Sequence, residues 1–190
     1  MLNKKVYTSK DRETFENEFY RLLGVLIHNT ARFDRYIGLQ LNWMADYYGF
    51  KRGELLDPRK TCMQKRIAKL KAVSKKAFQP AGAKAMAEFS EWFAKIDKVR
   101  ALRNDYVHGI WGVPGGYLGG PDTPHCDCEL WLAFVPLNWN LSPETVQEET
   151  KFTLGEFADQ VDDAIKLFGQ YSKLSDKYLK YMRLGCDGLA

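Results

Sequence analysis

The segment 103–108, with the sequence Arg-Asn-Asp-Tyr-Val-His, brings a cation, an amide, a carboxylate and an imidazole into six consecutive residues. It lies where a long helical pattern is about to end. Each residue of a helix advances by about 100°, so Asn104 and His108, four positions apart, share one face. Arg103 lies beside that face, and its long side chain can swing toward the imidazole. The spacing therefore predicts a polar face on the last turns of a helix.

Local chemistry alone leaves two interpretations of this segment open. In one, His108 ends a helix and hydrogen-bonds the last carbonyl groups, which is a common and stabilising use of histidine. In the other, the polar side chains form a functional site. Tyr106 and Val107 point away from the polar face in both cases, and we expect these two side chains in the core.

The polar side chains of this segment have the properties that RNA cleavage without a metal ion requires. Histidine titrates near neutral pH, so it can remove the proton of a 2′-hydroxyl group or protonate the leaving 5′-oxygen. Arginine presents a fixed fork of N–H donors that suits the oxygens of a phosphate group. An amide such as that of Asn104 can hold an imidazole or a substrate in place.

Arg103, Asn104 and His108 match the Arg-x4-His motif of the HEPN superfamily (higher eukaryotes and prokaryotes nucleotide-binding domains), including the polar residue that follows the arginine. The motif also falls late in a long helix, as it does in that family. Over residues 83–112 the chain therefore resembles a prokaryotic HEPN ribonuclease. Outside this range the resemblance is one of architecture.

This resemblance implies a metal-independent endoribonuclease that needs no cofactor. HEPN ribonucleases form two-fold dimers in which the motif helices of both subunits meet in one cleft, so a homodimer that acts on RNA is expected. His108 would be the acid or base, Arg103 would stabilise the phosphate group, and Asn104 would be the orienting polar group. The role of Asp105 stays open: it could tune His108 or simply face solvent.

Members of this family are common in prokaryotic toxin–antitoxin and phage-defence systems. The resemblance therefore also implies an antitoxin or a nucleotidyltransferase-like protein as a partner. Some members lack catalytic activity, which leaves an alternative function open. In that alternative, the chain is a helical module that binds RNA, a nucleotide or a protein partner without turnover.

Hydrophobic periodicity predicts the helices that must position this segment. Apolar residues recur at spacings of three and four in four stretches, which we assign to helices at about residues 10–48, 59–76, 83–110 and 154–181. We expect an all-α fold, an up-and-down bundle of four to five helices with long first, third and last helices. In this prediction residues 1–190 form a single domain.

Residues 112–152 are predicted to form an insertion after the motif helix. The first part is rich in glycine and proline, which indicates a loop, and contains the segment from His125 to Cys128. We expect no metal site there, because zinc ligands usually come as two well-spaced pairs and no second pair follows. Residues 129–137 and 145–152 are predicted to pair as a small hairpin. Thr153 and Glu156 then match a capping box.

Two sets of basic residues lie on the predicted helices. Residues 59–76 include eight basic residues and no acidic one, so this helix presents either a solvated face or a phosphate-binding surface. The residues predicted to contact RNA are Lys65, Arg66, Lys69, Lys71, Lys75 and Lys76. On the first helix, His28, Arg32 and Arg35 form a stripe that indicates a solvated face or a supporting role in the site.

The composition is that of a globular protein, and we expect it in the cytoplasm and not in a membrane. Hydrophobic residues make up 45% of the 190 residues, and no apolar run approaches the roughly 20 residues that cross a bilayer. The N-terminus lacks the apolar segment of a secretory signal. The four cysteines are too scattered for a disulfide framework. Phosphate-loop and dinucleotide-binding fingerprints are absent, so no cofactor is expected.

Overall fold

The computed structural model describes residues 9–48, 62–114, 116–117, 130–136 and 149–184. The helices are α1 (Ser9–Tyr48), α2 (Met63–Phe78), α3 (Ala83–His108) and α4 (Leu154–Leu184), and a short 3₁₀ helix (Gln79–Ala81) joins α2 to α3. The strands are β1 (Ile110–Val113), β2 (Gly116–Tyr117), β3 (Leu132–Val135) and β4 (Thr150–Phe152). The predicted fold class is confirmed: an all-α bundle with long first, third and last helices and a small β insertion after α3.

The chain divides into two compact units. Unit 1 comprises Met1–Ile27 and Ala101–Asp163, and unit 2 comprises His28–Arg100 and Ala164–Ala190. α1, α3 and α4 contribute residues to both units, whereas α2 belongs to unit 2 and the strands belong to unit 1. Among the described residues, no helix has the length and apolar character that crossing a membrane needs.

The core of unit 1 is a cluster of aromatic rings around the end of α3. The ring centroid of Tyr106 lies 5.0 Å from that of Trp111, 5.1 Å from Phe134 and 5.5 Å from Phe157. Phe19 of α1 packs against Trp111 at 4.7 Å and against Phe157 at 5.2 Å. All five side chains are buried. Each such ring pair adds about 0.5–1.5 kcal/mol to the gain from burial alone, so this cluster joins three helices and two strands.

The four short strands form an antiparallel sheet in the order β2-β1-β3-β4. The predicted pairing of the two later segments is confirmed for their described parts, because β3 pairs with β4 and Leu132 lies opposite Phe152. β3 ends at Val135, since the following Pro136 has no N–H group to donate. β1 was not expected from the sequence. It pairs with both β2 and β3 in a region predicted to be a helix end and a loop.

α3 ends at His108, short of the predicted end near Ile110. The N–H group of Gly109 donates to the carbonyl oxygen of Asp105 at 2.7 Å, which closes the last turn. Ile110 then begins β1 and pairs with Val135. The helix cannot continue because the sheet takes over the backbone hydrogen bonds of the following residues.

Unit 2 has its own aromatic core, to which all four helices contribute. Phe33 of α1 stacks on Phe168 of α4 with ring centroids 4.5 Å apart. Trp92 of α3 packs against Tyr171 of α4 at 4.9 Å. Ser74 of α2 shares a buried hydrogen bond of 3.1 Å with the hydroxyl group of Tyr171. Tyr171 therefore connects three of the helices and satisfies its own polar atom.

The predicted capping box fixes the start of α4 and is confirmed. The backbone N–H of Thr153 donates to Oε2 of Glu156 at 2.8 Å, and the N–H of Glu156 donates to Oγ1 of Thr153 at 3.1 Å. The bond from the Thr153 backbone is the largest cause that holds the pKa of Glu156 below its usual value, and the Thr153 hydroxyl group, which donates to Oε2 at 3.0 Å, is the second. The reciprocal pair satisfies two N–H groups that the helix itself leaves without partners.

Replacing Gly109 by alanine should destabilise unit 1. A Cβ atom at this position would overlap the ring of Phe134 and lie 2.8 Å from the carbonyl oxygen of Asp105. We expect Gly109→Ala to lower the free energy of unfolding by about 2 kcal/mol, within the range of overpacking substitutions. Urea denaturation followed by circular dichroism measures this change.

Gly24→Ala is the matched control, because Gly24 lies in a helix of the same unit and nothing lies within 4 Å of a Cβ built there. Alanine at this position should raise the free energy of unfolding by about 0.5–1 kcal/mol, since glycine is a poor helix former. Equal stability of the two variants would contradict the close contact of Gly109 with Phe134.

Candidate functional site

Tyr106 fixes the buried side of the end of α3, as expected from the sequence. Its hydroxyl group donates a hydrogen bond to Oε1 of Gln160 on α4, and its carbonyl oxygen accepts one from Nε1 of Trp111 at 2.9 Å. Burial raises the pKa of Tyr106 to about 12, and the nearby carboxylate of Asp105 adds to the rise. The phenol therefore stays neutral at physiological pH and keeps its bond to Gln160.

The three predicted catalytic residues differ in their surroundings. Nη1 of Arg103 donates to Oδ1 of Asn104 at 3.1 Å, and both side chains are half-buried. Nε of Arg103 is buried and has no hydrogen-bond partner among the described residues. His108, the last residue of α3, is exposed. The structure thus brings Arg103 and Asn104 together and leaves the imidazole open to solvent.

Asn104 orients the guanidinium group of Arg103 directly. A fixed guanidinium group presents its remaining N–H donors in one direction, which suits a tetrahedral phosphate group. Within the described part of the chain, no hydrogen bond joins His108 to either of these residues. The imidazole can therefore reach a bound substrate or a second copy of the chain without first breaking an internal bond.

Val107 differs from the prediction, because its side chain is 37% exposed instead of lying in the core. The aromatic cluster occupies only the Tyr106 side of the helix, and Val107 is turned by about 100° from that side. Ile110, the first residue of β1, is 42% exposed. His108 therefore lies between two exposed apolar side chains in the sequence.

Four of the basic residues predicted to contact RNA have exposed side chains on α2. The exposed side chains are Lys65, Lys71, Lys75 and Lys76. Lys69 is half-buried. No acidic residue interrupts this face, so it can contact phosphate groups along a nucleic-acid strand through Coulomb attraction.

Arg66 does not belong to that face, contrary to the prediction. It is buried, and its Nη1 atom lies 2.5 Å from Oδ2 of Asp34 on α1. Its position four residues before Leu70 and seven before Val73 puts it on the buried side of the helix. Its charge stabilises the packing of α2 against α1 and does not face a ligand in solvent.

His28, Arg32 and Arg35 are all exposed, as a solvated stripe on α1 predicts. They belong to unit 2, whereas Arg103 and His108 belong to unit 1. The segment from His125 to Cys128 lies outside the described residues. The same holds for residues 49–61 and for most of the predicted glycine-rich loop.

Two residues that position the motif could not be identified from the sequence. Gln160 lies 54 residues from Tyr106, and a glutamine on a long helix carries no local signal of a buried bond. Trp111 follows the motif closely, but its indole bond depends on the turn at Gly109. A glycine directly after a helix pattern was the one available sign of that turn.

Removing the carboxylate of Asp34 should destabilise unit 2, because the Arg66 side chain is only 8% exposed. We expect Asp34→Ala to lower the free energy of unfolding by about 3 kcal/mol, as when one partner of a buried ion pair is removed. Glu18→Ala is the control, since Glu18 pairs with Arg21 at an exposed position. That loss should be much smaller, because an exposed ion pair contributes little to stability. Similar losses in urea denaturation would show that Arg66 is not held as described.

Comparisons with models of protein families, with curated proteins and with solved structures found no match for this chain.

Proposed function

We propose that this protein is a metal-independent endoribonuclease of the HEPN type, acting as a homodimer. The observation that carries the proposal is the arrangement at the end of α3. Tyr106 is anchored in the core on one side, Arg103 is held by Asn104, and His108 is exposed. A rigid helix end with a free imidazole and a fixed guanidinium group suits acid–base chemistry on a phosphate ester.

The reaction is attack of the RNA on its own backbone. One imidazole takes the proton of a 2′-hydroxyl group, and the 2′-oxygen forms a bond to the adjacent phosphorus atom. The bond from phosphorus to the 5′-oxygen breaks, and a second imidazole gives its proton to that oxygen. Arg103 stabilises the negative charge on the phosphorane. The products are a 2′,3′-cyclic phosphate and a 5′-hydroxyl end.

A dimer supplies the second imidazole, because one chain carries one His108 in the motif. In a two-fold dimer each residue at the axis meets its own copy, so two copies of His108 and two of Arg103 can line one cleft. The exposed side chains of Val107 and Ile110 support this arrangement, since apolar side chains beside the histidine would be covered by the partner.

We further propose, on the resemblance alone, that the enzyme acts in a toxin–antitoxin or phage-defence system in the cytoplasm. An antitoxin or a nucleotidyltransferase-like partner would then restrain its activity. The alternative function is a helical module that binds RNA, a nucleotide or a protein partner without turnover. The exposed lysines of α2 favour this alternative, because they need no catalytic group to attract a nucleic-acid strand.

His108→Ala should lower the rate of single-stranded RNA cleavage by about 10²–10⁴-fold, because it removes the general acid–base group. Arg103→Ala should lower it by about 10²–10³-fold through loss of charge stabilisation. Cleavage is measured on denaturing gels in the presence of EDTA, with detection of 2′,3′-cyclic phosphate ends. His28→Ala is the control, because His28 is an exposed histidine of unit 2.

The control should cleave RNA at the wild-type rate. Several RNAs that stay intact with both the wild-type protein and His108→Ala would exclude the enzyme. If the intact RNAs nevertheless bind in a salt-sensitive manner, the alternative module is the correct function. If the RNAs are neither cleaved nor bound, the remaining interpretation is a helical protein that interacts only with other proteins.

Replacing lysines of α2 should reduce the salt dependence of RNA binding. The double variant Lys71→Gln with Lys75→Gln should lower the slope of log K against log salt by about 0.7 for each lost phosphate contact. The control pairs Lys84→Gln with Lys98→Gln, which removes two exposed lysines of α3 in the same unit. Fluorescence anisotropy with a labelled RNA measures both slopes. Equal slopes for the two double variants would contradict RNA binding by α2.

A further inference from the structure

Unit 2 contains a groove of about 300 Å³ between α1 and α4 that the catalytic proposal does not use. Its floor is formed by the stacked rings of Phe33 and Phe168, whose planes lie 15° apart. Tyr36 adds a half-buried ring to the wall, and Arg32 and Ser172 line its polar edge. A groove with aromatic walls and a few polar groups at its edge is the usual form of a small-molecule site.

Arg32 gives this groove a positive charge. Its side chain is exposed, and no hydrogen bond or ion pair to it occurs among the described residues. Asp176 is the carboxylate that acts on the groove from α4, where it adds to the rise that burial causes in the pKa of Tyr36. Asp176 is not paired with Arg32. An anionic group on the ligand would complete the charge balance at the Arg32 edge.

Gly169 keeps the groove open from the α4 side. Glycine inside a helix lowers stability by about 1 kcal/mol relative to alanine, so it usually has a local reason. Packing does not supply that reason, because nothing lies within 4 Å of a Cβ built at Gly169. The open space beside Gly169 belongs to this groove, whose lining includes Gly169.

We propose that this groove binds a nucleoside phosphate, either free or as one unit of an RNA strand. The phosphate group would pair with Arg32, whose guanidinium fork matches two phosphate oxygens. The base would lie against the apolar wall, and the hydroxyl groups of Tyr36 and Ser172 would bond its polar edge or the ribose. A volume of about 300 Å³ is at the small end of ligand sites and admits one nucleotide. This site is in unit 2 and does not depend on catalysis in unit 1.

The test is calorimetric binding of adenosine 5′-monophosphate and of a short single-stranded RNA to the full chain. Gly169→Leu should fill the groove and abolish nucleotide binding, whereas Gly169→Ala should leave it unchanged. Leucine and alanine both favour helix, so both variants keep the fold. Arg32→Gln should weaken binding by about tenfold or more, and the matched control Arg35→Gln, three residues away on the same stripe, should not. Adenosine and inorganic phosphate alone should each bind about tenfold more weakly or worse.

The same variants distinguish a site for a free nucleotide from a site for one unit of an RNA strand. If Gly169→Leu abolishes binding of the monophosphate and leaves RNA binding unchanged, the site serves a free nucleotide. If it weakens both, the site holds one unit of the strand. Monophosphate binding that Gly169→Leu and Arg32→Gln leave unchanged would overturn the proposal, and so would no measurable binding of the monophosphate or the RNA. The ribonuclease proposal has its own separate test, which is RNA cleavage through His108.

Discussion

The pairing of β1 with β3 ends α3 at His108, and the candidate site depends on that end. The ring of Phe134 occupies the space that any side chain at Gly109 would need, so this turn requires glycine. The backbone passes from helix to strand here, with Tyr106 held in the core and His108 left at the last helical position. Were the helix to continue, the sheet would lose β1, and the imidazole would lie in mid-helix. The same contact thus couples the stability of unit 1 to the presentation of the motif.

The charged residues of unit 2 differ in burial, and this difference decides which of them can contact a ligand in solvent. Arg66 can lie in the core because a guanidinium group is more weakly hydrated than an ammonium group and can bond a carboxylate, which Asp34 supplies. The ammonium group of lysine is more strongly hydrated than a guanidinium group, and the lysines on the polar side of α2 stay exposed. Arg32 is the contrasting case, since it lies exposed at the edge of an aromatic groove. The two arginines of this unit therefore differ in role. Arg66 stabilises the fold, and Arg32 is available to an anion.

The sequence predicted the helices well, because apolar spacing reports directly on a buried helix face, and it predicted the capping box, which depends on residues three apart. It predicted the pairing of β3 with β4 from alternation and turn residues. It did not predict β1, since a short strand within a glycine-rich region gives little pattern. Nor did it separate Arg66 from its neighbours, or place Val107 outside the core, because partners distant in sequence decide both outcomes. The bond between Arg103 and Asn104 required side-chain conformations that spacing alone does not determine.

The central proposal is that two copies of the α3 end meet, so that each catalytic cleft holds two imidazoles and two guanidinium groups. This can be measured directly by crosslinking, in a protein whose four cysteines are replaced by serine and that carries a single cysteine at position 108. A short bifunctional maleimide should convert most of the His108→Cys chain into covalent dimers. The same treatment of a His28→Cys chain, with its exposed position in unit 2, should leave monomers. A His108→Cys chain that stays monomeric under these conditions would contradict a site shared between two subunits.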